Sequence, residues 1–93
     1  MARRQIEKDL CKELKDSSFN FIPRGFVTIQ TIYELVQQRY PDLCDDDYLC
    51  STHCRSTTNR PEWQHGVRSV LNQLKSIDGS IRHTGSRGIW SFH

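Results

Sequence analysis

Between Asn59 and His93 the chain sets His65, Arg68, Ser69, Asn72 and Lys75 at intervals of three and four. On an α-helix residues so spaced share one face. Arginine carries a planar fork of donors that fits guanine or phosphate. An asparagine or glutamine amide pairs with the edge of adenine, and lysine and serine meet phosphate oxygens. Arg68 is therefore the candidate for guanine, and Asn72 or Gln64 for adenine, each pairing worth ~1–3 kcal/mol of base discrimination. The opposite face is apolar, made of Trp63, Val67, Val70, Leu71 and Leu74. The plain alternative is a solvated polar stripe, which any surface helix carries.

Two further groups have phosphate chemistry. Arg82, His83, Ser86 and Arg87 surround Gly85 and Gly88 near the end of the chain, so backbone there can approach a phosphate or enter a minor groove. Arg87 at the tip is the prime candidate, while Arg82 equally fits a role in covering the hairpin with its alkyl stem. Arg55, Ser56, Thr57, Thr58 and Arg60 precede the helix, whose N-terminus attracts anions; the same polar residues would also serve as a capping loop. Trp63 belongs to the apolar stripe and is expected in the core, with Trp90 and Phe92 anchoring the hairpin.

Cysteine and histidine supply the other chemistry. Cys44, Cys50 and Cys54 follow a C-x5-C-x3-C pattern with His53 beside the last. Zinc sites favour closer pairs, so reduced, partly buried thiols are the first expectation. Zinc held by Cys44, Cys50, Cys54 and His53 (or His65) is the alternative, and no cofactor is required. Cys11 lies on an apolar helical stripe and reads as a small core residue. Cys54 and His53 are chain neighbours with no orienting third group, which argues against a thiol nucleophile. Asp45–Asp47 have no lysine at nuclease spacing and read as solvated charge. The expectation is a domain without catalysis or a small-molecule substrate.

These residues need elements to hold them. Ile6, Leu10 and Leu14, with Cys11, predict a helix over 3–16, the charges from Glu7 to Lys15 filling its solvated side. Ser17–Gly25 is a connector, with a very short strand at Phe26 and Val27. Thr28 caps a second helix over Ile29–Tyr40, stopped by Pro41. An irregular loop spans 42–58. Asn59 and Glu62 form a capping box for a third helix reaching Ile77, which Asp78-Gly79 ends, with Gly79 in the left-handed position. Strands over Ser80–His83 and Gly88–Phe92 form a hairpin.

Charge and length bound the rest. Residues 1–47 hold seven Lys/Arg and nine Asp/Glu, whereas 48–93 hold six Lys/Arg and two Asp/Glu, a basic half that suits phosphate. Ninety-three residues make one domain without room for a buried catalytic cleft. No apolar run nears the ~20 residues of a membrane span, and MARRQIEKDL lacks a signal peptide's apolar region. A cytoplasmic location away from membranes is expected.

Three helices and a C-terminal hairpin, mainly α with a little β, form the layout of a winged helix-turn-helix. The segment PEWQHGVRSVLNQLK, followed by a turn and a strand ending RGIW, resembles winged-helix modules attached to bacterial restriction endonucleases. IQTIYELVQQRYPDLCDD is similar to their second helix and its exit, and the closing strand resembles that of HARE-type helix-turn-helix domains. In this chain the arginine lies in Gly85-Ser86-Arg87-Gly88 rather than a strict G-R-G. The resemblance covers roughly residues 26–92. It implies a double-stranded DNA-binding module, excised from or N-terminal to a longer protein with a covalently linked catalytic domain. Such a module supplies sequence or modification recognition rather than cleavage. A winged helix that docks a protein partner is the alternative.

Overall fold

The computed structural model describes residues 5–48, 61–77, 79–86 and 88–93. Among these the chain is mainly helical, with three α-helices and a small antiparallel sheet. The order is α1 (Gln5–Ser17), β1 (Gly25–Thr28), α2 (Ile29–Arg39), a 3-10 turn (Pro41–Leu43), α3 (Glu62–Ile77), β2 (Ile81–His83) and β3 (Ile89–Phe92). No described helix is long and apolar enough to cross a membrane.

α1 packs on α3 through Glu7, Leu10, Cys11 and Leu14. This corrects the sequence reading by a fraction of a turn. Glu7, expected among solvated charges, is 2 % exposed, while Ile6, expected inside, is half-buried. A stripe spaced by fours drifts about 40° per step around a 3.6-residue helix. Positions 7, 10, 11 and 14 stay centred on one face, and the neighbour selects that set.

α1 ends in a tight turn whose Ser18 (φ 51°) and Phe19 (φ 55°) occupy the left-handed region, uncommon for residues with a side chain. Burial of Phe19, whose ring lies 6.1 Å from Phe21 and 6.4 Å from Phe92, holds that turn. Thr28 caps α2 by accepting from the Thr31 amide at 3.2 Å. Pro41 follows the helix as expected, but the start of the anticipated loop is ordered into the 3-10 turn.

The sheet runs β1-β3-β2, so the last strand is central. Its register sets Val27 and His83 on either side of Trp90, and Gly25 and Ile81 on either side of Phe92. The face bearing Val27, Ile81, Trp90 and Phe92 is buried together with Val67, Val70, Leu71 and Leu74 of α3 and Ile32, Tyr33 and Val36 of α2. The sheet's other face leaves Phe26 80 % exposed. Gly79 does not take the left-handed conformation expected of it; the positive-φ glycines of the described residues are Gly25, Gly85 and Gly88. The chain passes from Ile77 almost directly into β2, whose first residue is buried.

Candidate nucleic-acid interface

The amphipathic pattern of α3 determines which of its residues reach solvent. With Trp63, Val67, Val70, Leu71 and Leu74 turned inward, Arg68, Asn72 and Lys75 are exposed, and Gln64, His65 and Ser69 are half-buried at the margin. The five-residue polar stripe is therefore narrower than its spacing suggests. Arg68 and Lys75 stand two turns apart, about 10 Å along the helix axis.

The exposed stripe faces a neighbour. Arg68, Asn72 and Lys75 form one wall of a cleft of about 370 Å³. The other wall comes from Ile29 and Tyr33 of α2, His83 of β2, Gly88 and Trp90. No carboxylate lines it among the described residues. The Lys75 ammonium sits over the Trp90 ring, 5.9 Å from its centroid. The His83 ring meets the same indole edge-on at 5.0 Å.

The β2–β3 turn is tied by its own side chains. Thr84 Oγ1 donates to the Ile89 carbonyl at 3.0 Å and accepts from the Ser86 amide at 3.2 Å. The Gly85 amide donates to His83 Nδ1 at 3.2 Å, which puts the hydrogen of a neutral ring on Nε2. Gly88 holds φ +74°, and its carbonyl accepts from the Ile29 amide at 2.7 Å, joining the hairpin to the start of α2. Arg82 is exposed, its Nε donating to the Gly79 carbonyl at 3.3 Å, on the sheet face opposite His83 and away from the cleft. Arg60 and Arg87 lie outside the described residues, as do Arg55, Ser56, Thr57, Thr58 and the Asn59 cap.

Of the candidate metal ligands, Cys50, Cys54 and His53 lie outside the described residues. Cys44 is buried in the core, and burial pushes its thiol up to about 12, the nearby Asp46 carboxylate adding to the effect. No group of three or more metal-ligating side chains converges among the described residues. Cys11 is buried against α3, as expected, its thiol directed at the Gly66 carbonyl at 3.9 Å.

The acidic run is not simply solvated charge. Asp46 accepts from Trp63 Nε1 at 2.8 Å and Gln37 Nε2 at 2.9 Å. The Tyr48 carbonyl accepts from the Glu62 amide at 2.9 Å, fastening the described part of the loop to the start of α3. Sequence reasoning also missed Ile29, Tyr33 and Trp90 as cleft residues. Their periodicity marks them as core, and nothing in it reveals that their edges border an opening. Comparison with known protein families, curated proteins and solved structures returns no match.

Proposed function

We propose that this chain is a winged helix-turn-helix domain that binds double-stranded DNA, with α3 as its recognition helix and the β2–β3 hairpin as its wing. The observation that carries this reading is the joint exposure of Arg68, Asn72 and Lys75 on α3 beside His83 of the hairpin, along a cleft that no carboxylate lines among the described residues. Arg68 and Asn72 discriminate bases, and Lys75 and Arg87 meet the backbone. The resemblance to modules of restriction endonucleases supports a role in sequence or modification recognition, with cleavage left to a linked catalytic domain.

A fluorescence titration with random duplex DNA at low and moderate salt tests this. Binding that weakens steeply as salt rises is expected, because neutralised phosphates release counterions. Absent or salt-indifferent binding favours a winged helix that docks a protein, the reading to which the exposed Phe26 lends support.

A further inference from the structure

The cleft beside α3 is walled by that helix on one side and by the sheet and α2 on the other. Its volume of about 370 Å³ lies within the range of small-ligand pockets, roughly 300–1,000 Å³, and far exceeds what one phosphate needs.

The lining sorts by chemistry. Trp90 and Tyr33 line it from the core side, with Lys75 lying over the Trp90 ring. Asn72 stands midway along the helical wall, with Arg68 one turn before it and Lys75 nearly one turn after. His83 lines the sheet side, its Nδ1 accepting from the Gly85 amide. Flat apolar surface, an amide able to pair with a base edge and flanking cations are the requirements of a single nucleotide. The face of Trp90 is already occupied by a flat ring's usual substitute, the exposed ammonium of Lys75.

We propose that this cleft seats one unpaired nucleotide. Its base displaces Lys75 from Trp90, Asn72 reads its edge, and the released Lys75 holds its phosphate. The inference rests on the nucleic-acid reading above. The nucleotide comes either from the interior of a duplex, by extrusion, or from a strand end.

The test uses the purified chain and four DNA probes carrying 2-aminopurine at one position: a paired duplex, the same duplex with a mismatch there, a duplex with a one-nucleotide overhang, and a single strand. Anisotropy reads affinity, 2-aminopurine emission reads unstacking, and NMR reads the Trp90 indole and Asn72 amide. Seating predicts that the mismatch tightens binding roughly tenfold or more, since unstacking is already met. Emission and the Trp90 signal change together, and Asn72→Ala removes most of the gain. A gain confined to the overhang and the single strand also supports seating and assigns the source to strand ends. Equal affinity for paired and unpaired probes, with Trp90 unmoved, overturns the inference and leaves duplex binding intact. Failure of every probe to bind overturns both.

Discussion

The indole of Trp63 donates to the carboxylate of Asp46 at 2.8 Å, joining the first turn of α3 to the segment that follows α2. The same indole meets the Tyr33 ring edge-on at 5.8 Å. Trp63 thereby holds two stretches of chain that share no secondary structure, and its polar atom is satisfied without leaving the core. Asp46→Ala is expected to lower stability by ~1.5–3 kcal/mol, the usual worth of a hydrogen bond to a charged acceptor. Asp46→Asn, whose amide oxygen still accepts, is expected to lose less. Urea denaturation of the two variants checks the order.

Cys44 gives a test in alkali. Its thiol is raised from 9.0 to about 12, chiefly by burial. A folded thiol that titrates above the unfolded one adds stability in full below pH 9.0, and this contribution disappears as pH rises towards about 12. Native protein is expected to protect Cys44 from iodoacetamide at neutral pH. Peptide mapping after alkylation, with and without denaturant, reads this protection, and modification at the same rate in both refutes it.

Leu71 is fully buried on α3 within the core that α2 and the sheet share with that helix. Leu71→Ala is expected to cost about 2–5 kcal/mol, because the lost side chain leaves a cavity that three packed elements close only in part. Thermal unfolding by circular dichroism measures it, and a loss under ~1 kcal/mol would place the residue outside the core.

Arg68 and Arg87 are expected to fail differently. Arg68→Ala relaxes sequence preference in a selection from a randomised duplex pool that includes methylated and hydroxymethylated cytosine. Arg87→Ala weakens binding evenly across sequences and lowers the salt slope by about 1. Even weakening by both variants would assign Arg68 to the backbone.

Zinc content gives a further measurement. Purified protein is expected to carry less than one zinc per chain and to keep its melting temperature in chelator, because the C-x5-C-x3-C spacing lacks the closely paired cysteines that zinc sites favour. Stoichiometric metal lost together with stability would reverse that expectation.

The sequence by itself determined the helix-and-strand order, the ends of α2 and the inward face of α3. Those features follow from short-range rules: Thr28 as a cap, Pro41 as a stop, and apolar residues recurring at three and four from Trp63 to Leu74. Only the tertiary structure decided that Glu7 rather than Ile6 faces inward, that Asp46 binds Trp63, and that Arg68, Asn72 and Lys75 border a cleft with Trp90 and His83. Each of these depends on residues far apart in the chain. Periodicity fixes a direction around one helix axis but carries no information about what stands opposite it, and the chemistry of the cleft arises from that opposition.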